Sequence, residues 1–167
     1  MKYPKAKIVS FEPLPFCIRQ LERFRQRFPE LDWEIDRSAL ADADGTGVLR
    51  TNMDDEYSSM ATLRTTEQKA HRIDIRLQTL DSALDKHGLA WVDLAKFDCE
   101  GGEFPALYGA SEAALSKIRA LCIEVHKDPT PGYNRADLKR YLQEKGFETA
   151  NSTESEHADF LYGWRTT

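Results

Sequence analysis

The segment from residue 94 to residue 103 constrains this chain more than any other part of the sequence. An apolar run over residues 92–97 predicts a buried strand, and Asp98, Glu100, two glycines and Glu103 follow it. Ligands of open α/β sheets bind outside the carboxyl ends of the strands, and glycines let the backbone turn sharply and a ligand come close. Asp98 and Glu100 are therefore candidate site residues. The alternative is a plain turn from strand to helix, in which Glu103 stabilises the helix start.

The charge pattern limits the partners of the chain. Its 167 residues carry both signs of charge interleaved, with a formal net charge of −5, whereas a nucleic-acid-binding protein usually shows a basic patch. No apolar run approaches the roughly 20 residues that cross a bilayer. The three cysteines are widely spaced and odd in number, so they predict neither a metal pair nor a disulfide framework. We therefore expect a cytoplasmic protein with no nucleic-acid or membrane partner.

Strand and helix patterns alternate along the chain, which predicts a layered α/β sheet. Residues 120–125 form a nearly continuous apolar run, as parallel strands buried on both faces do. The last two predicted strands, residues 147–150 and 158–164, are joined by a segment too short for a parallel crossover. We therefore expect a three-layer, Rossmann-like sheet that is mostly parallel and ends in a C-terminal antiparallel hairpin.

Side-chain periodicity gives three local expectations. Apolar and charged residues alternate over residues 73–77, which predicts a half-buried strand near an edge of the sheet. Phe24 and Phe28 recur at helical spacing and are expected on the core-facing side of a helix. A helix over residues 103–117 is expected to break or bend near the proline at its start and near Gly109.

Five short segments occur in a fixed order along the chain. They lie at residues 11–13, 39–46, 79–81, 96–103 and 123–126. In this order and spacing they resemble the FkbM-type S-adenosylmethionine-dependent methyltransferases, from about residue 7 to the C-terminus. The resemblance implies a single, partial domain of this family over residues 1–167, built on the class I methyltransferase sheet. It also implies S-adenosylmethionine as the cofactor and methyl transfer to a hydroxyl oxygen of a small molecule or sugar.

The resemblance also implies which residues bind the cofactor. Glu12 matches the acid that holds the ribose hydroxyls, and a carboxylate can accept two hydrogen bonds from a vicinal diol. Ser38, Ala39 and Leu40 match the region where the adenine lies. Asp98 matches the acid beside the transferred methyl group and the substrate.

One part of the family pattern has no counterpart in this sequence. The family's fold begins with a strand and a glycine-rich turn, and that strand normally lies between the second and the fourth strands. Residues 7–11 match the second strand, so we expect an N-terminally truncated sheet. Three explanations stay open: a longer product, direct pairing of the second and fourth strands, or a partner that supplies the strand. The alternative to an enzyme is a non-catalytic remnant or binding module that has kept the sheet.

Methyl transfer needs a group that orients or deprotonates the acceptor hydroxyl. Asp98, Glu100 and His126 are the candidates, since His126 ends a predicted strand and an ordinary histidine pKa of about 6.5 suits a base at neutral pH. Lys96 is expected to form a structural ion pair with Glu124 on the neighbouring strand. Asp98 and Glu100 would also suit Mg²⁺ in a metal-dependent hydrolase, but no third ligand has convincing spacing, so we predict no metal.

Overall fold

The structure, a computed structural model, describes residues 5–51, 71–152 and 159–166. The chain divides into two compact units, which are residues 1–40 with 44–78, and residues 41–43 with 79–167. Within the described residues, no helix is both long enough and apolar enough to span a bilayer.

The first unit holds two small sheets. Its elements in chain order are β1 (Lys7–Phe11), α1 (Pro15–Arg27), β2 (Asp32–Asp36), β3 (Ser38–Leu40), β4 (Gly45–Thr51) and β5 (His71–Gln78). Strands β1 and β2 pair in parallel. The other sheet has the order β3-β5-β4, in which β5 pairs in parallel with β3 and antiparallel with β4.

Helix α1 forms where the sequence predicts a helix, but its aromatic residues are not in the core. It begins at Pro15, which suits a first helical turn because no amide hydrogen is needed there. Its buried residue is Ile18, whereas Phe24 is 50% exposed and Phe28 is 41% exposed. At 100° per residue, Phe24 lies about 120° around the helix from Ile18. The expectation that both phenylalanines pack in the core is therefore wrong.

Strand β5 is central in its sheet, so the expectation of an edge strand is wrong. Its apolar side packs in a cluster built around Leu49 and Ile75, with Ile73 and Leu77 against them. Its charged side chains, such as Arg72 and Arg76, are exposed. Alternation of apolar and charged residues shows that one face of a strand is polar. It does not show whether the strand lies at the edge or in the centre of a sheet, because a central strand can also have one polar face.

The second unit contains a four-stranded sheet and four helices among the described residues. Its elements are α2 (Leu80–Lys86), β6 (Ala95–Phe97), α3 (Glu103–Tyr108), α4 (Glu112–Ser116), β7 (Ala120–Glu124), α5 (Arg135–Glu144), β8 (Glu148–Asn151) and β9 (Phe160–Trp164). The strand order is β6-β7-β9-β8. Strands β6 and β7 are parallel, and β9 is antiparallel to both β7 and β8. The predicted C-terminal antiparallel hairpin is confirmed.

Strand β6 is shorter and less buried than the apolar run predicts. Val92 makes an isolated parallel bridge to Ile118, and a bend separates this bridge from the strand itself. Leu94 is 63% exposed, while Phe97 is only 2% exposed. The expectation of a strand buried over the whole run is wrong, because β6 is an edge strand in the described sheet and buries only part of its length.

The helix predicted over residues 103–117 is interrupted near Gly109, as expected, and this glycine lies between α3 and α4. A Cβ atom at Gly109 would lie 2.5 Å from the Cα atom of Asp42 and 2.9 Å from the carbonyl oxygen of Pro105. Only glycine therefore fits without a shift of the backbone. Ser111 then starts α4 as its N-cap, since its Oγ accepts a hydrogen bond of 3.0 Å from the amide of Ala114.

Asp81 in α2 fixes this N-cap. Its Oδ2 accepts a hydrogen bond of 3.0 Å from the backbone N–H of Ser111, and its Oδ1 accepts one from the Ser111 hydroxyl. These two bonds lower the pKa of Asp81 below its ordinary value. One carboxylate thus joins the first turn of α2 to the start of α4.

We expect Asp81→Ala to lower the free energy of unfolding by about 1–2 kcal/mol at pH 7, because two hydrogen bonds to a charged acceptor are lost. Asp85→Ala is the matched control on the same helix; its carboxylate is 82% exposed and lies 3.6 Å from Lys117, so we expect less than about 0.5 kcal/mol. Urea denaturation measures both. Equal losses for the two variants would contradict the assignment.

The same pair predicts a pH dependence. Because the folded pKa of Asp81 is lowered, its contribution is complete above the unfolded value of 3.8 and disappears as the pH falls through the folded value. The stability difference between the wild type and Asp81→Ala should therefore shrink below about pH 4. A difference that stays constant down to pH 2 would contradict this prediction.

Candidate functional site

Several acidic side chains and one histidine of the second unit lie at the carboxyl ends of β6 and β7. Asp98 follows β6 directly, Glu124 is the last residue of β7, and His126 comes two residues later. The two strands run parallel, with Phe97 opposite Ile123. Their carboxyl ends therefore lie at the same edge of the sheet, where α/β sheets bind ligands.

The structure brings together the three residues that the sequence predicts as catalytic. His126 Nε2 lies 3.7 Å from Glu100 Oε2. Asp98, Glu124 and His126 each place one oxygen or nitrogen within 4.8 Å of the others. Glu124 is an addition to the predicted set, and its place at the end of β7 was the available signal. The catalytic roles of Asp98, Glu100 and His126 stay predictions.

Glu103 has a larger role in this cluster than the sequence suggests. Its side chain is completely buried, and its Oε2 accepts a hydrogen bond of 3.0 Å from the backbone N–H of Gly101. Its Oε1 accepts one of 2.8 Å from the backbone N–H of His126 and lies 3.2 Å from His126 Nδ1. The carboxylate therefore contacts the turn after β6 and the segment after β7 at once.

The turn between β6 and α3 is strained at the residue that faces His126. Glu100 has a φ of 50°, and in the described part of the chain it is the one residue other than glycine with a positive φ. The next residue, Gly101, has a φ of 96°, and the turn is closed by a hydrogen bond of 2.9 Å from the N–H of Gly102 to the carbonyl of Cys99. Strained backbone of this kind concentrates at functional sites.

Lys96 pairs with Asp98 rather than with Glu124. Its Nζ lies 2.8 Å from Asp98 Oδ2, and this hydrogen bond is the main cause that raises the pKa of Lys96. Residues two apart in an extended segment point to the same side, whereas Lys96 lies opposite Cys122 on β7. The expected partner is therefore wrong, and the structural ion pair supplies Asp98 with its own cation.

The surroundings of His126 favour its charged form. The hydrogen bond to Glu103 is the largest cause that raises the pKa of His126, partial burial opposes it, and the negative charges of Glu100 and Glu124 raise it further. Asp98 also lies in this cluster. The imidazole is thus half-buried among four carboxylates, of which one is neutralised by Lys96.

A divalent cation is one ligand that this cluster could hold. Asp98, Glu124 and His126 supply two carboxylates and an imidazole, which is a donor set that transition metals accept. No third ligand beside Asp98 and Glu100 could be predicted from the sequence, and the structure places Glu124 and His126, rather than Glu100, close to Asp98. Because the ammonium of Lys96 already contacts Asp98, we assign no metal, and its absence stays a prediction.

Glu12, the predicted ribose ligand, lies in the first unit just after β1. It is half-buried, and its Oε1 accepts a hydrogen bond of 2.8 Å from the backbone N–H of Leu14. Burial raises the pKa of Glu12, and the bond from Leu14 opposes that effect. One oxygen is therefore fixed by the backbone, and no described residue donates to the other. This carboxylate fits a vicinal diol of the predicted cofactor.

The predicted adenine region, residues 38–40, is less uniform. Ser38 is completely buried, and its hydroxyl donates a hydrogen bond of 2.8 Å to Asp36 Oδ1. Gln78 Nε2 lies 2.9 Å from Asp36 Oδ2 and contacts Ser38 Oγ as well. The Ser38 hydroxyl is thus used inside this network, whereas Ala39 and Leu40 are half-buried and apolar. Contacts of residues 38–40 with a cofactor stay predictions.

Comparison with known proteins identifies relatives of this chain. A family model described as "Methyltransferase FkbM domain" matches residues 2–149. The chain is 30% identical to the AMB antimetabolite synthetase AmbE of Pseudomonas aeruginosa, across 88% of this chain and 9% of that protein. It is 26% identical to the methyltransferase sdnD of Sordaria araneosa, across 88% of this chain and 66% of that protein. The chain therefore spans less than two thirds of the length of either relative.

A solved structure shows the same fold. The crystal structure of methyltransferase FkbM from Methylobacillus flagellatus KT superposes with a TM-score of 0.60 at 18% identity, covering 95% of this chain and 36% of that one. This match confirms the predicted Rossmann-like α/β fold class, and the family match confirms the predicted resemblance.

The strain at Glu100 can be measured with two variants that both remove the carboxylate. Alanine keeps a Cβ atom in the left-handed region and glycine does not, so we expect Glu100→Gly to be more stable to urea than Glu100→Ala by about 1 kcal/mol. The same pair at Lys139, inside α5, is the control, and there we expect glycine to be less stable than alanine by about 1 kcal/mol. The same sign at both positions would contradict the strain.

The charge around His126 predicts its titration. We expect NMR titration of the imidazole to give His126 a pKa above its ordinary value of 6.5, with Glu100→Gln lowering that pKa because one negative charge is removed. Glu148→Gln, at an exposed position of β8, is the control and should leave the pKa unchanged. A His126 pKa at or below 6.5 in the wild type would show that burial outweighs the neighbouring carboxylates.

Proposed function

The chain belongs to the methyltransferase FkbM domain family, and on that premise we propose that it transfers a methyl group from S-adenosylmethionine to a hydroxyl oxygen of a small molecule or sugar. The observation that carries this proposal is the imidazole of His126, held by the buried Glu103 beside Glu100 and Asp98. A histidine at the carboxyl edge of a sheet is a suitable base for a hydroxyl. The similarity to the methyltransferase sdnD supports the reaction class.

Glu12 and residues 38–40 would hold the cofactor. Glu12 would accept hydrogen bonds from the ribose hydroxyls, and the apolar Ala39 and Leu40 would flank the adenine, with Ser38 contributing its backbone. Bound S-adenosylmethionine would supply an electrophilic methyl carbon and leave as a neutral thioether.

His126 and its neighbouring carboxylates would prepare the acceptor hydroxyl. His126 Nε2 takes the proton as the hydroxyl oxygen forms its bond to carbon, so the imidazole becomes an imidazolium. Glu103 and Glu100 stabilise that positive charge because each carboxylate faces one ring nitrogen. Asp98, whose own charge is balanced by Lys96, would accept the hydroxyl's hydrogen bond when the acceptor first binds and so orient the hydroxyl before its proton turns to His126.

We also propose a cytoplasmic location. Cys17, Cys99 and Cys122 all lie in the described part of the chain and carry thiols rather than disulfides. Thiols of this kind suit a reducing compartment.

Titration calorimetry with S-adenosylhomocysteine tests the cofactor assignment on this chain. We expect binding, and we expect Glu12→Gln and Glu12→Ala to weaken it by about tenfold to a hundredfold, because charge-assisted hydrogen bonds to the ribose are lost. Glu34→Gln is the control, since Glu34 lies on β2 in an ion pair with Lys7, and it should bind like the wild type.

Two other outcomes would reject the proposal. The absence of heat at millimolar ligand would favour the non-catalytic remnant. A melting temperature raised by Mn²⁺ but indifferent to the nucleoside would favour a metal-dependent hydrolase that uses the donor set of Asp98, Glu124 and His126.

A further inference from the structure

We propose that Glu103 is a positioning residue, which holds His126 in the tautomer that carries its proton on Nδ1 and so presents the lone pair of Nε2 to the acceptor hydroxyl. This inference rests on the proposed function, because only a base at this edge of the sheet needs an unprotonated Nε2.

The burial of Glu103 makes its hydrogen bonds obligatory. Its side chain is completely buried, and among the described residues its ion-pair contact is with His126 rather than with a lysine or arginine. A buried carboxylate is stable only when hydrogen bonds replace its lost hydration. The stability of this carboxylate therefore depends on three contacts. They are the backbone N–H groups of Gly101 and His126 and the ring of His126.

Both carboxylate oxygens of Glu103 accept hydrogen bonds from backbone N–H groups. Oε1 accepts the backbone N–H of His126 at 2.8 Å, and Oε2 accepts the backbone N–H of Gly101 at 3.0 Å. Backbone N–H groups can only donate, so both oxygens are used as acceptors. An ionised carboxylate cannot donate to Nδ1, which lies 3.2 Å from Oε1. With Glu103 as a carboxylate, the proton of that contact is therefore on Nδ1.

The opposite side of the imidazole is arranged differently. Nε2 lies 3.7 Å from Glu100 Oε2, which is too long for a hydrogen bond. Glu124 and Asp98 are the other carboxylates in this cluster. If Nε2 carried the proton, its lone pair would not be available and the base would be blocked. The shorter contact at Nδ1 decides between the two tautomers, because the hydrogen bond at one ring nitrogen sets the state of the other.

The arrangement also holds the ring in place through the backbone. Because Oε1 accepts both the N–H and the Nδ1 of His126, the peptide and the imidazole of that residue are tied to one atom. Rotation of the ring would break the contact at Nδ1 while the backbone bond stays. A single buried oxygen thus fixes the position, orientation and tautomer of the proposed base, as orienting carboxylates do in other histidine sites.

Nitrogen NMR of the uniformly ¹⁵N-labelled chain tests the inference directly. Two-bond correlations between ring protons and nitrogens report the tautomer of His126 at a pH above its pKa, with His126→Gln identifying the signals. In the wild type we expect the Nδ1–H form to exceed the Nε2–H form by at least about tenfold, the preference that one charge-assisted hydrogen bond provides. An Nε2–H majority in the wild type would overturn the inference without any variant.

Two variants separate the carboxylates on either side of the ring. We expect Glu103→Gln to reduce the Nδ1–H preference to roughly twofold or less, because an amide can match only one of the two oxygen positions. Glu100→Gln also removes a carboxylate beside His126, but on the Nε2 side, so it should keep or increase the Nδ1–H preference. A tautomer that is unchanged in a folded Glu103→Gln variant would overturn the inference.

The spectra need neither cofactor nor acceptor, so this result is independent of the calorimetry. Binding of S-adenosylhomocysteine together with an Nε2–H majority would leave the proposed function standing and remove the role of Glu103. The Nδ1–H form without cofactor binding would reject methyl transfer and leave the positioning contact in place.

Discussion

The hydrogen bonds of one buried carboxylate hold the candidate site together. Glu103 accepts N–H groups from the turn after β6 and from the segment after β7, and it has no exposed surface. Its removal would leave half-buried donors at Gly101 and His126 without this acceptor, at up to about 1–3 kcal/mol each. The strained turn and the proposed base are therefore parts of one arrangement, and neither can move without breaking a contact of the same side chain.

The sequence predicts those features that depend on local pattern and chain direction. The apolar run over residues 120–125 is followed by a histidine, and the run over residues 92–97 is followed by Asp98 and Glu100. Parallel strands have their carboxyl ends at one edge, so these side chains could be expected to meet although they are far apart in sequence. The short connection between β8 and β9 predicts their antiparallel pairing for a similar reason, since only a hairpin spans it.

Partners that are distant in sequence could not be predicted in the same way. Glu103 and His126 are 23 positions apart, and Asp36 and Gln78 are 42 apart. Periodicity tells which face of an element is polar, but not which residue of another element lies opposite. The same limit explains the wrong partner predicted for Lys96. Lys96 pairs with Asp98, two residues further along the chain, and not with Glu124 on the neighbouring strand.

The charge distribution around His126 creates a conflict that the structure partly resolves. Four carboxylates near one imidazole stabilise an imidazolium, so proton uptake from a hydroxyl is favoured in a preorganised environment. The same carboxylates keep more of the histidine protonated at neutral pH, which leaves less of it able to act as a base. Lys96 reduces this effect because it neutralises Asp98, and Glu103 adds directional control because its contact specifies Nδ1. Effective proton transfer under the proposed function therefore depends on where the negative charges lie as well as on their number.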